Sequence, residues 1–503
     1  MQPVVRLSLL ALLCATAGGS VLAQTAPAFW LTPSVSISET LTNNLGRTGL
    51  LGGESDAITR GTVGVNLRNR SGRAQGALDY AFSGLSYARH SELNTTQQSL
   101  NANLALEWWE KQGFLQATAQ IGQGAESAFG AQPNASGLPS ANSTEVRSIS
   151  LAPRWQGPLF GDLKFSANTQ LSVVDAQGGM LGDSTSTLTS FQISPQRAGP
   201  VAWSLQASRQ VSDFKAGTAT SSSRGFGSVT RAIDHLDLQA SATAGLERGN
   251  LVSSNQRSVS TWGLGLAWTP SPRTSADLKY DQRLFGKSHA VSLQHRTPLT
   301  VWRFTSTRTL NDSGGSLAAA GAGSLFELYF SQFASVEPDP IRRADLVNAF
   351  LLQNGLVGTS PAGAGFLRSA ATLDNRQDIS VAWRGVRNTA TLTYGRSQSQ
   401  RANSGLIAAD DLSSSQRVNT ETWSLTASHR LTPSLTATAT ASLLSGNGLA
   451  LGQSNRQRTL STQIGGPLGP KATWSVLLRR ALFENQLLPY DESTAIASVT
   501  MRF

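Results

Sequence analysis

Cysteine is almost absent from this chain, whose 503 residues include only Cys14. Disulfide frameworks and cysteine-ligated metal sites need several cysteines, so the sequence excludes both. Charged residues are also scarce, at 14% of the chain. Beyond the N-terminus no apolar run approaches the roughly 20 residues that a membrane-spanning helix requires. A helical membrane protein is therefore excluded as well.

The extreme N-terminus has the organisation of a secretory signal. A short basic start, MQPVVR, precedes an apolar stretch and a small-residue site that ends at Ala23. This order predicts a signal peptide over residues 1–23 and an exported mature chain over residues 24–503. Because an exported chain rarely meets nucleic acid, we interpret the net charge of +10 as scattered solvated charge and expect no nucleic-acid partner.

From Phe29 onward, apolar and small polar residues alternate, which is the period of a β-strand. In residues 163–173, for example, Leu163 and Phe165 lie on the face opposite to Lys164. The pattern recurs along the whole mature chain without a composition break. We therefore predict one continuous all-β architecture over residues 24–503.

The lengths of the connections indicate which all-β architecture this is. Tight links, such as those at 68–73 and 297–300, alternate with mostly longer polar or glycine-rich links. Short turns at one rim and long loops at the other are typical of outer-membrane barrels. The links predict a transmembrane antiparallel β-barrel of about 22 strands, with 20 or 24 as alternatives, each strand being about 9 to 11 residues long. The expected location is the bacterial outer membrane, with both termini and the tight turns in the periplasm.

Tryptophan residues cluster beside the tight turns. Indole prefers the lipid headgroup level, where its ring is in an apolar layer and its N–H is hydrated. The sequence therefore predicts a periplasmic aromatic girdle in contact with the outer-membrane lipid. Its residues are Trp108, Trp155, Trp203, Trp268, Trp302, Trp383 and Trp474.

The C-terminus alternates in the same way. Val499, Met501 and the terminal Phe503 share one face of the last predicted strand. This ending resembles the C-terminal recognition strand of bacterial outer-membrane proteins, whose final aromatic residue is read by the barrel-assembly machinery. That machinery is accordingly an expected partner, and the three residues are the expected insertion signal.

The polar phase of the strands is expected to face the lumen, because a Lys or Arg on the lipid face near the midplane costs about 2 to 4 kcal/mol. Basic residues outnumber acidic ones in that phase, which predicts a mildly positive interior. The candidate lumen residues are Arg60, Arg154, Lys279, Arg303, Arg384 and Arg479. Two interpretations remain open: attraction of anionic solutes or an acidic polysaccharide, and a water-filled wall with self-compensating charge.

One connection, residues 311–376, is too long for a simple loop. A helix is predicted within it, with Asp339 as its cap and an apolar stripe that includes Leu346 and Val347. Strand parity assigns the segment to the external side. Two arrangements are open: a partial plug that folds into the wide lumen, and a loop that rests on the rim.

A family resemblance is carried by residues 268–302. They contain a tryptophan, a PSPRT turn, an RLFG turn, an SLQHR strand and a second tryptophan. The matching residues are Trp268, Pro270, Ser271, Pro272, Arg273, Thr274, Arg283, Phe285, Gly286, Ser292, Leu293, His295, Arg296 and Trp302. With these motifs the chain resembles the outer-membrane β-barrel proteins associated with PEP-CTERM and exosortase exopolysaccharide systems. The segments IRRADLVNAFLLQNGL and SETLTNNLG also resemble that family, so the similarity spans most of the mature chain. Pro298 departs from the pattern at one turn, where a basic residue is expected.

The resemblance implies a role in making, exporting or anchoring extracellular polysaccharide, with an acidic polysaccharide and envelope export proteins as partners. It carries no catalytic residues to this chain. None of the five histidines lies in a recognisable catalytic spacing, and no metal or phosphate-binding motif is present, so we expect no enzymatic activity and no cofactor. Two functions remain open: a pore or translocation component associated with exopolysaccharide export, and a non-conducting structural or assembly barrel of the envelope.

Overall fold

The computed structural model describes most of the chain from Phe29 to Phe503. The described residues are 29–45, 53–132, 140–177, 182–197, 199–253, 255–311, 329, 330, 333, 343, 346, 347, 365–402, 410–450, 452–485 and 489–503. The predicted signal peptide, residues 1–23, lies outside them.

Strands make up nearly all of the described chain. They are β1 (Phe29–Thr42), β2 (Asp56–Arg70), β3 (Ala74–Tyr87), β4 (Thr95–Trp109), β5 (Gly113–Ala125), β6 (Ser143–Pro158), β7 (Leu163–Ala176), β8 (Ser184–Pro195), β9 (Val201–Phe214), β10 (Thr220–Ile233), β11 (Leu238–Gly249), β12 (Arg257–Ser271), β13 (Thr274–Arg283), β14 (Gly286–Arg296), β15 (Thr300–Asn311), β16 (Thr372–Arg384), β17 (Asn388–Arg401), β18 (Arg417–Arg430), β19 (Thr436–Asn447), β20 (Ser454–Pro467), β21 (Ala472–Asn485) and β22 (Tyr490–Arg502).

These strands form one 22-stranded sheet that closes on itself. Consecutive strands pair antiparallel, and β1 pairs with β22 from Ser34 opposite Arg502 to Thr42 opposite Thr494. Lipid offers no hydrogen-bond partners, so a sheet is stable in a bilayer only when closure leaves no edge. The predicted transmembrane antiparallel barrel and its preferred strand number are confirmed.

The two rims differ as the connection lengths predict. The rim with both chain ends has short turns, such as Pro272–Arg273 between β12 and β13. The opposite, external rim carries most of the longer connections, including 126–142 and 312–371, besides the two-residue link Leu284–Phe285. Gly286, which follows that link, has φ of +96°, a conformation that residues with a Cβ rarely adopt.

Most strands are longer than the expected 9 to 11 residues, and only β13 and β14 lie within that range. The strand lengths range from 10 residues in β13 to 16 residues in β6. Strands that only crossed the hydrocarbon would need fewer residues, so the additional length carries them past it and into the connections. For the same reason β15 extends to Asn311 and β16 begins at Thr372, which shortens the long connection to 312–371.

Apolar side chains cover the outer face of the barrel. In β7, Leu171 and Val173 are exposed outward, whereas Val174 points inward and is buried. In β20 and β21, Leu460 and Leu478 are each 59% exposed. A soluble protein rarely exposes a continuous apolar surface of this kind, whereas a barrel in lipid requires one. The protein is therefore an outer-membrane β-barrel.

Helix contributes little to the described chain. The helix Asp411–Ser415 follows β17 and is capped by Asp410, whose side chain accepts a hydrogen bond of 2.9 Å from the Ser413 N–H. Tyr329, Phe330, Phe333, Arg343, Leu346 and Val347 are also helical. None of the helices in the described ranges has the length and hydropathy needed to cross a bilayer.

Candidate functional site in the barrel lumen

The inward phase of each strand follows from its register. Ile58 of β2 is 1% exposed and packs against Leu85 and Tyr87 of β3, inside the wall. Residues two apart share a face, so Arg60 also points into the lumen. The same reasoning places all six candidate basic residues in the inward phase: Arg60 on β2, Arg154 on β6, Lys279 on β13, Arg303 on β15, Arg384 on β16 and Arg479 on β21.

The surroundings of these residues differ. Arg479 is buried in the external half of the lumen, where it donates to Glu492 at 3.0 Å. Arg60 donates to the Gln97 side chain at 3.2 Å. The Lys279 ammonium lies 3.7 Å from a carboxylate oxygen of Asp281. Near the periplasmic end, the Arg154 guanidinium lies 4.8 Å from the centre of the Phe114 ring. The six residues are therefore spread over the wall and do not form one cluster.

A fully buried polar site in the wall joins β10, β11 and β13. Glu247 is fully buried and accepts hydrogen bonds from Arg283 Nε at 3.1 Å and Nη2 at 2.6 Å. It also accepts from the Leu284 N–H at 3.1 Å and the Ser222 hydroxyl at 3.2 Å. A buried carboxylate is stable only when such partners replace its water. The matching residue Arg283 therefore has a structural partner in the wall.

Further carboxylates compensate other lumenal cations. Each pair joins residues of one strand or of nearby strands on the inward face. The pairs are Arg68–Asp79 at 3.1 Å, Arg224–Asp281 at 3.6 Å and Arg376–Asp378 at 2.8 Å. Within the described part of the chain, by contrast, no carboxylate pairs with Arg154 or with the inward Lys164. Any positive electrostatic field in the lumen therefore comes from the cations that lack a paired carboxylate. Arg154 and Lys164 are two of these, and both lie toward the periplasm.

Sequence reasoning missed several of these partners. Glu247, Glu492, Arg224 and Arg376 were not among the inward candidates, although the alternation contains the signal: Leu246 points outward, so Glu247 beside it points inward. Asp237, directly before β11, would continue the inward phase of that strand but lies in the turn between β10 and β11 with φ of +48°. Alternation holds only within a strand, and β11 begins one residue later.

Side chains from the long connection contact the inward face of the wall. Tyr329, Phe333 and Val347 pack with Val301 of β15 and Ala382 of β16, and we call this cluster the lumenal contact. Because β15 begins at residue 300, just after a periplasmic turn, the lumenal contact lies toward the periplasmic end.

Polar groups strengthen the lumenal contact. The Tyr329 hydroxyl lies 2.8 Å from the Thr391 hydroxyl of β17. The guanidinium of Arg384, one of the candidate lumen residues, lies 4.4 Å from the centre of the Phe333 ring. Of the predicted helix, Val347 is in the contact and Leu346 is partly exposed, whereas Asp339 lies outside the described residues.

A second group of residues crosses the external mouth. Segments 126–132, 365–371 and 410–416 meet there, and we call them the external cap. Asp411 accepts hydrogen bonds from the Ala128 N–H at 2.6 Å and the Ser127 hydroxyl at 3.0 Å. Burial raises the pKa of the Asp411 carboxyl, and these hydrogen bonds oppose the rise.

The external cap connects distant parts of the wall. The Leu367 N–H donates to the Ala125 carbonyl at the end of β5, at 3.0 Å. Ser369 N–H donates to Asp410 at 3.0 Å, after β17, and the Asn485 side chain of β21 donates to the Phe129 carbonyl at 3.1 Å. Since β5 and β17 are on opposite sides of a 22-stranded barrel, the cap spans the opening.

The girdle tryptophans lie on the outer face, near the periplasmic ends of their strands: Trp108, Trp155, Trp203, Trp268, Trp302 and Trp383 are exposed, and Trp474 is partly exposed beside the outward Val476. Trp109, Trp155 and Phe165 form a row of ring contacts, with centroids 6.3 and 5.4 Å apart. Trp30, by contrast, pairs with Arg68 in the inward phase. The three residues of the predicted insertion signal, Val499, Met501 and Phe503, all face outward.

Four of the five histidines have a polar partner among the described residues, and two of them, His295 and His429, contact the Thr274 hydroxyl and the Asn388 side-chain oxygen. His90 lies 2.9 Å from Asp56 and 2.9 Å from Glu54 at the external rim. His289 Nε2 lies 3.1 Å from the Ser306 hydroxyl on the outer face. Among the residues that the structure describes, no group of three or more His, Cys, Asp or Glu side chains is arranged to hold a metal ion. The absence of enzymatic activity stays a prediction.

The comparisons with known proteins found matches among solved structures. No family model matches the chain, and no curated protein matches it. It is similar to OpdQ of Pseudomonas aeruginosa, with 11% identity, coverage of 94% of this chain and 98% of that chain, and a TM-score of 0.37. It is also similar to the ferric-catecholate import receptor Fiu of Escherichia coli, with 9% identity, coverage of 93% and 81%, and a TM-score of 0.46.

Proposed function

We propose that this barrel is a passage protein: a pore or translocation component of the outer membrane, associated with exopolysaccharide export and constricted from within. The observation that carries the proposal is the lumenal contact, in which Tyr329 is fully buried against the inward face of β15 and β16. A wall that encloses water needs an internal constriction to retain a permeability barrier, because a barrel of about 22 strands has a wide lumen.

The charge of the wall supports an anionic cargo. Arg154 and Lys164 are exposed to the lumen near its periplasmic end, and Arg384 lies beside Phe333 at the lumenal contact. Cations at a narrow point raise the local concentration of anions and lower the barrier to their passage. An acidic polysaccharide has this chemistry, and the family resemblance carried by residues 268–302 agrees with it.

Single-channel recording of the refolded full-length protein in a planar bilayer tests the proposal. We expect small discrete steps and anion-over-cation permeability above unity in the wild type. The double variant Tyr329→Ala and Phe333→Ala removes the lumenal contact and should raise conductance several-fold. Trp262→Ala, an outward aromatic substitution, is the matched control and should leave conductance unchanged. Absence of steps in the wild type and the double variant alike would refute a passage function.

Two further arms of this experiment address the cargo. The double variant Arg154→Gln and Lys164→Gln should lower the ratio of anion to cation permeability. The size of the single-channel conductance steps should change little. Acidic oligosaccharide should reduce the current at concentrations where a neutral oligosaccharide of the same length does not. If the acidic and the neutral oligosaccharide reduce the current equally, the proposal of an acidic polysaccharide as cargo is refuted, whereas the proposal of a pore is not.

A non-conducting structural or assembly barrel is the second candidate, and the external cap favours it. Hydrogen bonds from the Leu367 N–H to β5 and from the Ser369 N–H to Asp410 hold protein across the mouth. A barrel of this class would give no steps even without the lumenal contact, and it would co-purify with envelope proteins.

A further inference from the structure

The outer face of β18 to β22 is not evenly convex. Strand β19 presents only small outward side chains over much of its length, namely Ala437, Ala439 and Ala441. Larger residues flank them on both sides, with Trp423 and Leu425 on β18 and Leu460 on β20. At Ala441, the one of these alanines that lines it, the difference in side-chain size leaves a groove of about 730 Å³ on the lipid-facing surface.

A second groove lies beside the first. It has a volume of about 540 Å³ and runs between Leu460 and Leu478 on one side and Leu41 and Ala495 on the other. Leu460 lines both grooves, so it belongs to a ridge between them. The exposed surface of both grooves is mainly apolar, although polar residues such as Thr462 and Ser493 also line the smaller one. Apolar surface of this kind can pack against hydrocarbon chains.

Two arginines line these grooves. Arg480 lines both grooves, and Arg458 lines the larger one. On the outward face of β21, Arg480 lies between Leu478 and Leu482, within the upper part of the apolar surface. A cation on the lipid face is unfavourable unless it lies near the headgroups or meets an anion. Toward the external rim, β21 presents only Leu482 outward before the charged Glu484, and Arg458 lies opposite Leu482. Both arginines therefore lie near the external limit of the apolar surface, at the level of the outer leaflet.

The arginines retain donors for another anion. Arg480 Nη2 lies 2.7 Å from Asp491, and Arg458 Nη2 lies 3.5 Å from Glu484. Each guanidinium has five N–H donors, and the Arg480 side chain is 63% exposed. Each carboxylate contacts one nitrogen of its guanidinium group, so other donors of both groups remain for a further anion. Planar guanidinium groups match phosphate oxygens well.

We propose that β18 to β22 bind a phosphorylated glycolipid of the outer leaflet, lipid A, with acyl chains in the two grooves and a phosphate on Arg458 and Arg480. Arg480 lines both of the adjacent grooves and Arg458 lines the larger one. This arrangement matches a lipid that has several acyl chains and phosphate groups. Because the arginines lie toward the external side, the lipid that they contact belongs to the outer leaflet. Lipid A is the phosphorylated lipid of that leaflet. The site is separate from the lumen and does not depend on passage.

Native mass spectrometry of the detergent-purified full-length barrel, titrated with lipid A, tests the proposal. We expect at least a tenfold weaker affinity in the double variant Arg458→Gln and Arg480→Gln. Ala441→Phe, which fills the larger groove and leaves the arginines in place, should weaken binding similarly. Dephosphorylated lipid A should bind the wild type as weakly as lipid A binds the double variant.

Matched controls separate this site from general attraction to a cationic barrel. Arg209 and Arg248 also face outward on β9 and β11 but lie away from the grooves. Arg209→Gln combined with Arg248→Gln should leave the affinity within about twofold, and gel mobility of unheated samples should show that every variant is folded. Equal loss in the control pair would overturn the proposal. Phosphatidylglycerol binding as tightly as lipid A, with the same dependence on Arg480, would overturn the choice of lipid A.

Discussion

The buried Glu247 allows a quantitative test of how the barrel wall is held together. Its carboxylate receives two hydrogen bonds from Arg283, at 2.6 and 3.1 Å, one from the Leu284 N–H and one from Ser222. Glu247→Ala leaves all of these donors without their acceptor. Breaking a buried ion pair by removing one partner costs about 3 to 5 kcal/mol.

The exposure of Arg283 sets where in this range the effect lies. Its side chain is 25% exposed, so water can partly solvate the guanidinium once the carboxylate has gone. We therefore expect a loss near the lower limit, about 3 kcal/mol, which is roughly a 150-fold change in the unfolding equilibrium. Glu247→Gln keeps one acceptor and should lose about half as much, since hydrogen bonds to charged groups contribute about 1.5 to 3 kcal/mol.

Urea unfolding and refolding in lipid vesicles, followed by tryptophan fluorescence and gel mobility, measures these changes. Glu484→Ala is the matched control, because its 3.5 Å contact with Arg458 is half exposed and is expected to contribute less than about 1 kcal/mol. Replacing both partners, as in Glu247→Leu with Arg283→Met, should recover most of the loss. If Glu247→Ala unfolds at the same urea concentration as Glu484→Ala, the reasoning about the buried pair is refuted.

Two predictions concern the rims of the barrel. The hydrogen bond with Asp56 raises the pKa of His90 above its usual 6.5, with further contributions from Glu54 and Glu92, and desolvation opposes the rise. Protonated His90 should therefore stabilise the fold fully below about pH 6.5, and this stabilisation should be lost as the pH rises through the higher folded pKa. An NMR titration that gives a folded pKa below 6.5 would contradict this prediction. Phe503→Ala should slow appearance of the protease-resistant barrel in cells, whereas Phe160→Ala, at an exposed periplasmic turn, should not; equal rates would show that the terminal aromatic residue is not the insertion signal.

Alternation was the most informative feature of the sequence. The side-chain period of a strand is two, and lipid and water sort the two faces, so residues such as Leu171 and Lys164 reveal their orientation without any tertiary contact. The tight turns then set the strand number, which the closed sheet confirms. Strand ends were less predictable, because strands that extend beyond the membrane do not change their pattern where the hydrocarbon ends.

The lumen was only partly predictable for a related reason. The inward phase of Arg479 can be read from its own strand, but its partner Glu492 lies on the next strand and depends on register. Trp30 alternates with the outward Leu31 and therefore lies in the inward phase, opposite Arg68. Composition near a turn indicates an aromatic girdle, but the alternation within each strand decides which ring faces lipid.

By itself, the sequence determined that this chain forms a closed antiparallel barrel in the outer membrane, because local alternation and turn lengths encode the two faces and the strand number. The tertiary structure decided what fills and lines that barrel. The burial of Tyr329 against Val301, the cap that joins Ser369 to Asp410 and the paired charges at Glu247 all link residues far apart in the chain. Such contacts depend on barrel closure and register, which bring distant strands together and leave no local pattern in the sequence.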